Sequence, residues 1–341
     1  MSFKTEITNF HYKRASKLPV FLGPILKLVS FFYDCISLIR NFFYDKGIFP
    51  VVRVSANVIS VGNITTGGVG KTPVVAQIAD YYASFPEKKV CIISRGYGGH
   101  LNNKKVNEIK INGEVLCNAY YAGDEPYWLA TNTKSNVFVI TCANRVKAAR
   151  WAIEKYGITD IILDDAFQHR RIYRDADVVL VDSEMKFGND AVLPFGPLRE
   201  NLSGLKRADR ILVVSKNIKH NKAEQFARIL SKKLEKEVNL CRVEPDIIYN
   251  IKTNKLLDKN LPVTAVCAIG QPDQFLKFLS DCNVTNTVIF EDHHSYLYDD
   301  IAKLQGNIVT TEKDAVKIQR FGFDNVYALK LKTSLDILEF N

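Results

Sequence analysis

The chain has 341 residues, 47% of them hydrophobic, enough to bury a substantial core over two domains and too many for a disordered chain. Seven cysteines (Cys35, Cys91, Cys117, Cys142, Cys241, Cys267 and Cys282) stand singly without a Cys-x-x-Cys, which speaks against a zinc site or a disulfide framework and suits a reducing cytosol. The net charge is +9, and residues 1–53 hold eight lysines and arginines against three acids, so an excess of five lies at one end, pointing to nucleic acid or an anionic membrane surface.

Residues 18–50 are crowded with Leu, Ile, Val, Phe and Tyr, but Lys27, Asp34 and Arg40 interrupt them. The longest uncharged piece falls short of the ~20 residues of a membrane span, so the segment is not expected to cross a bilayer. On a helix, Ile25, Leu28, Val29, Phe32, Ile36, Ile39 and Phe43 form one stripe, and Lys27, Ser30, Asp34, Ser37 and Asn41 form the opposite one. Such a helix either lies in a membrane interface with its charges among the headgroups or docks on the protein's own core. A late apolar region with no small-residue cleavage pattern argues against a signal peptide.

Next, Val58–Val61 reads as a buried strand that stops at Gly62-Asn63-Ile64-Thr65-Thr66-Gly67-Gly68-Val69-Gly70-Lys71-Thr72-Pro73. A glycine-rich loop ending in Gly-Lys-Thr turns its N–H groups toward phosphates at a helix N-terminus. The lysine reaches the β/γ-phosphates and the threonine reaches Mg²⁺. The strict pattern has glycine where this chain has Thr65, so the flanking strand and the helix predicted after Pro73 support the reading. Residues 65–72 are therefore the expected nucleotide-binding loop.

Further apolar runs follow at 90–93, 137–140, 161–163, 178–181 and 211–214, with helical patterns at Ala143–Tyr156 and His220–Lys236. This alternation predicts an α/β fold with a mostly parallel sheet, in which ligand chemistry collects at the carboxyl ends of the strands. Gly123-Asp124-Glu125-Pro126 puts two carboxylates at a helix start, where they either cap it or act chemically. Asp164-Asp165 follows the 161–163 strand, where a phosphate-loop enzyme holds acids for Mg²⁺. Then Ala166-Phe167-Gln168-His169-Arg170-Arg171 offers an amide, an imidazole and two guanidinium groups suited to an anionic or polyhydroxylated ligand. Glu200, in Leu198-Arg199-Glu200, is a further candidate metal oxygen. A second unit is expected from residue 245, with a strand at Val263–Ile269. Glu291-Asp292-His293-His294 ends another strand, one histidine acting beside a carboxylate as proton acceptor or orienting group.

In this order, the motifs resemble the tetraacyldisaccharide 4′-kinase family. The resemblance rests on Val61-Gly62-Asn63, the Gly67–Pro73 loop with its preceding threonine, Ser94-Arg95-Gly96-Tyr97-Gly98, Gly123–Pro126, Leu163-Asp164-Asp165, Phe167-Gln168-His169, Gly196-Pro197-Leu198-Arg199-Glu200, Asp292-His293-His294 and Thr311–Lys317. Ala166 stands where the family usually has glycine, which is expected to restrict the turn after Asp165.

The resemblance implies an N-terminal arm (1–50) on the cytoplasmic face of the bacterial inner membrane, a phosphate-loop NTPase core (51–244), and a smaller C-terminal α/β domain (245–341) that closes a cleft. It implies ATP and Mg²⁺, with the acceptor an acylated glucosamine disaccharide 1-phosphate. Lys71 and the loop amides would hold the triphosphate, and Thr72, Asp164, Asp165 and Glu200 would surround the metal. Asp124 would take the proton with His293 as its partner. Arg95, Glu125, Gln168, His169 and Arg199 would serve the sugar or its phosphates. A membrane-associated ATPase or GTPase switch without a lipid acceptor is the alternative. No nucleic-acid motif is present, and few aromatics interleave with basic residues outside the arm, so nucleic acid is not an expected partner.

Overall fold

The computed structural model describes residues 7, 10–12, 22–216, 220–292 and 294–335. Among these, thirteen strands form one sheet in the order β11-β10-β12-β13-β9-β8-β7-β1-β6-β2-β5-β3-β4. The strands are β1 (Asn57–Asn63), β2 (Val90–Ser94), β3 (Asn107–Ile111), β4 (Glu114–Val115), β5 (Val137–Thr141), β6 (Asp160–Asp164), β7 (Ala176–Asp182), β8 (Arg210–Ser215), β9 (Val238–Asn250), β10 (Val263–Cys267), β11 (Val284–Ile289), β12 (Asn307–Thr311) and β13 (Val326–Leu335). The helices are α1 (Leu22–Asp45), α2 (Lys71–Tyr82), α3 (Ala119–Ala122), α4 (Asp124–Asn132), α5 (Arg145–Tyr156), α6 (Asn221–Leu234), α7 (Pro272–Phe278), α8 (Tyr298–Ala302) and α9 (Glu312–Ile318).

The apolar runs at 58–61, 90–93, 137–140, 161–163, 178–181 and 211–214 became parallel strands buried on both faces, as continuous β-branched runs require. Antiparallel pairs enter at β3–β4, β3–β5 and β9–β13. Strand β9 carries the sheet through the expected domain boundary. Its first residues pair with β8 in parallel and the rest pair with β13 antiparallel, so position 244/245 falls inside one strand. One apolar cluster likewise runs from Val74 and Ile78 of α2 to Phe275 of α7.

Helix α1 reverses the usual rule for a docked amphipathic helix. Its buried residues are Ser30 and Ser37, while the apolar stripe faces outward, with Ile36 68% exposed and Leu28 59%. Ser30 donates to the Val192 carbonyl (3.0 Å) and accepts from Phe195 N–H (2.8 Å). Tyr33 donates to the Arg199 carbonyl (2.7 Å), Asn201 donates to Asp34 (3.3 Å), Asn41 donates to Glu200 (3.0 Å), and Arg170 donates to the Asn41 carbonyl (3.0 Å) and Asp45 (2.6 Å). Most of these polar groups therefore hold the helix on the protein, which neither of the two readings of the stripe foresaw. The apolar stripe is not docked on the core either. The helix runs unbroken through Lys27, Asp34 and Arg40. Contrary to the sequence reading, its 24 residues are long and apolar enough, by length and composition, to cross a bilayer.

Candidate active site

The phosphate loop leaves β1 at Asn63 and enters α2 at Lys71. Gly67 (φ 102°) and Gly70 (φ 95°) take the left-handed backbone that glycine tolerates, and no side chain caps α2 at Gly70. The first-turn amides therefore lack the usual side-chain cap and are available to an anion. Thr65, where glycine is usual in the strict pattern, pairs as a short bridge with Leu198, and Thr66 N–H donates to the Pro197 carbonyl (2.8 Å). An extended residue suffices there, which explains why threonine fits. Asn63 braces the turn, donating to the Thr65 carbonyl (2.8 Å) and accepting from the Lys71 ammonium (3.2 Å).

Asp164 lies opposite Val61 in the β1–β6 register, which sets both acids level with the loop. It is 2% exposed and accepts from Ser94 Oγ (2.9 Å). Burial, with the negative charges of Glu125 and Asp165 adding to it, pushes its pKa up to about 7 against the pull of Lys71. Asp165 behaves oppositely. Burial opposes its ionisation, but Lys71 (3.5 Å) and Arg199 (2.7 and 2.9 Å) outweigh that and hold it below the usual carboxylate range. The left-handed residue of this turn is Asp165 (φ 49°), not Ala166, so the alanine restricts nothing that glycine would relieve. Gly62 is required for the approach: a Cβ there would stand 2.7 Å from the Phe167 Cβ.

Glu200 and Gln168 are placed elsewhere than the sequence reading expects. Glu200 is 2% exposed and accepts from Arg207 (2.7 Å), Gln168 (2.9 Å) and, from the arm, Asn41 (3.0 Å), so both its oxygens have donors within the protein. Gln168 also donates to the Asn63 carbonyl (3.0 Å), committing its amide to the interior. His169 is pushed down to about 4 by burial and by Arg145, Arg174, Arg40 and Arg171, and is a neutral imidazole at pH 7. Arg199 is bound to Asp165, and Arg95, just past β2, is exposed.

Gly123 (φ 90°) precedes α4, and a Cβ there would meet the Tyr97 carbonyl at 2.6 Å. Asp124 and Glu125 thus occupy the first turn of α4 rather than its cap. Helix α9 brings Lys313 and Lys317, one turn apart on one face, against them: Lys317 lies 3.0 Å from Asp124, and Lys313 lies 3.2 Å from Glu125. Lys317 also donates to the His294 carbonyl (3.2 Å). His294 bonds Asp300 (2.9 Å) and stacks on Phe290, a packing role. His293 lies outside the described residues.

The sequence reading named neither Asp182 nor Lys216, and held Lys313 and Lys317 only within the Thr311–Lys317 motif, without a role. Asp182 ends β7 and Lys216 follows β8, so the rule that chemistry gathers at carboxyl ends of strands would have found the former pair.

The site combines a phosphate loop, a pair of acids beside it and a carboxylate presented at a helix start. The model of the tetraacyldisaccharide-1-P 4′-kinase family matches residues 22–340. The chain belongs to the tetraacyldisaccharide 4′-kinase family. A relative named tetraacyldisaccharide 4′-kinase from Halothermothrix orenii is 36% identical over 91% of this chain and 88% of its own, and one from Bdellovibrio bacteriovorus is 33% identical over 92% and 94%. The crystal structure of LpxK from Aquifex aeolicus in complex with ATP superposes with a TM-score of 0.76 at 31% identity, covering 92% of this chain and 95% of that one. The phosphate-loop α/β fold and kinase activity expected from the motifs agree with this membership.

Proposed function

We propose that this kinase transfers the γ-phosphate of ATP to the 4′-hydroxyl of a tetraacyldisaccharide 1-phosphate at a membrane surface, with Asp124 as proton acceptor. The observation that carries the reading is the joining of the uncapped phosphate loop, Lys71 and Asp164-Asp165 on one strand edge. Lys71 and the amides of residues 65–72 hold the triphosphate. Its ammonium is shared between Asn63 and Asp165, and the side chain, 11% exposed, is placed to turn onto phosphate oxygens.

Among the described residues no group of three or more His, Cys, Asp or Glu is arranged to hold a metal alone. Mg²⁺ needs only one or two carboxylates together with substrate phosphates, so Thr72, Asp164 and Asp165 fit it. Bound there, it would neutralise charge on the phosphates. Glu200 is left to the arm.

Lys317, 3.0 Å away, holds the Asp124 carboxylate at the start of α4, where it accepts the proton of the sugar hydroxyl. His293 is its partner by family resemblance. Because the Asp124 and Glu125 contacts come from α9, residues 245–341 complete the cleft that residues 51–244 open, and the strength of catalysis comes from positioning. Arg95, exposed past β2, and Glu125 serve the acceptor. Arg199 acts through Asp165 and the arm's Tyr33, and His169 serves the acceptor by family resemblance alone.

The outward apolar face of α1 supports membrane contact on the cytoplasmic side of the inner membrane. Its opposite face is bonded to the body along its length, so the helix lies against the bilayer surface rather than crossing it.

The test is transfer of label from γ-labelled ATP to tetraacyl glucosamine disaccharide 1-phosphate in mixed micelles with Mg²⁺. Label in the lipid that vanishes with Lys71→Ala is the expected result. Free phosphate without labelled lipid would instead support a switch ATPase.

A further inference from the structure

Lys216 is not among the groups assigned so far, yet it occupies a junction. It follows β8 and its side chain is 12% exposed. Its ammonium donates to three acceptors: the carbonyl of Gly68 in the phosphate loop (2.8 Å), the Asp182 carboxylate (2.9 Å) and Gln271 Oε1 (3.1 Å), just before α7 in the C-terminal unit. Its backbone carbonyl accepts from Gln274 of α7 (2.6 Å). Its side chain also runs along the loop, since a Cβ on Gly70 would reach Lys216 Cε at 4.0 Å.

These contacts have a direct electrostatic meaning. A loop that turns its N–H groups toward a triphosphate must turn carbonyls elsewhere, and a carbonyl left without a donor is costly. Lys216 supplies that donor at Gly68. The positive charge needs a counterion of its own, and Asp182 is built to be one: the amides of Glu184 (2.9 Å) and Met185 (3.0 Å) fix its carboxylate. Burial works against ionisation of Asp182, but Lys216 and those amides hold it below the usual carboxylate range. Lys216 is thus a rigidly mounted cation rather than a solvated surface lysine.

We propose that Lys216 is a positioning residue for the nucleotide, fixing the phosphate loop through the Gly68 carbonyl and pinning that loop to the C-terminal unit through Gln271. The inference rests on the reading of the loop as the ATP site. By this account, loss of the ammonium weakens ATP binding, and loss of Gln271 alone loosens the C-terminal unit over a loop that still binds ATP.

The experiment uses full-length enzyme with four variants: Lys216→Met, Lys216→Met with Asp182→Asn so that no buried charge stays unpaired, Lys216→Arg, and Gln271→Leu. ATP affinity is measured by calorimetric titration without lipid, and kcat and both KM values in mixed micelles. The double variant, if Lys216→Met does not fold, decides alone. Expected are an ATP affinity weakened about tenfold, a KM for the lipid changed less than about twofold, and recovery of part of the loss in Lys216→Arg. For Gln271→Leu the ATP affinity stays within about twofold and kcat falls about fivefold. ATP affinity at the wild-type value in the folded double variant overturns the loop role, and an unchanged kcat in Gln271→Leu overturns the pin. If the wild-type protein itself fails to bind ATP, the ATP-site reading fails instead.

Discussion

Helices α1 and α5 show the same amphipathic spacing and settle it in opposite directions. Helix α5 buries Val146, Ala148, Ala149 and Ala152 against the sheet and leaves Lys147, Arg150, Glu154 and Lys155 in water. Helix α1 buries Ser30 and Ser37 and exposes Ile25, Leu28, Phe32, Ile36 and Ile39. A helix therefore has two questions to answer: whether its faces differ, and which face meets the protein. Periodicity answers the first, and the identity of the surrounding medium answers the second.

The contrast is most easily broken in α5. Ala149→Asp puts an unpaired charge in the core and should destabilise the protein by about 3 kcal/mol or more, read by urea denaturation. In α1 the sign of hydrophobicity inverts. Ser30→Leu makes the helix more apolar, yet leaves the Phe195 N–H without its acceptor and takes one of two donors from the Val192 carbonyl, which keeps Gly196 N–H, and should loosen the arm by about 2 kcal/mol, seen as faster hydrogen exchange in residues 22–45.

Asp164 sharpens the comparison from the core side, since its burial works against its charged form. Its folded pKa of about 7 lies above the ordinary 3.8, so the folded state binds the extra proton between those values and stability falls as pH rises through that window. Asp164→Asn should then be more stable than wild type at pH 8, on the order of 1 kcal/mol, with the difference gone below pH 4 and lipid phosphorylation lost. Equal stability at pH 8 would show that Lys71 already compensates the charge. The smallest stability change is expected for Phe32→Asp with Ile36→Asp on the outward face: within about 0.5 kcal/mol of wild type, while sedimentation with anionic liposomes drops about tenfold. Unchanged sedimentation would remove the membrane role of α1.

How much was legible follows the same line. Continuous β-branched runs identify buried parallel strands because nothing else in a soluble chain needs them, and the Gly67–Thr72 loop is constrained by phosphate geometry itself. Asn112-Gly113, the left-handed pair that turns β3 into β4, carried a hairpin signal that was not read. Glu200 shows a different limit. A carboxylate in a loop has the same chemistry toward Mg²⁺ as toward Asn41, Gln168 and Arg207, and only tertiary structure chooses between them. Lys216 and the two lysines of α9 reach partners far away in sequence, so Lys216 carried no message, and the Thr311–Lys317 motif told of a family without telling which carboxylates its lysines meet.

The bonds that fasten α1 run from Ser30, two turns into the helix, to Asp45 at its end, and through Glu200, Gln168 and Asn63 they continue to the nucleotide loop. A body bolted this way to a helix lying on a bilayer cannot swing as it would on a tether. On the proposed membrane placement it would slide in the plane at one height and one tilt, so its search for an acceptor would be two-dimensional, and the reach of the sugar above the lipid surface would become a length the enzyme measures.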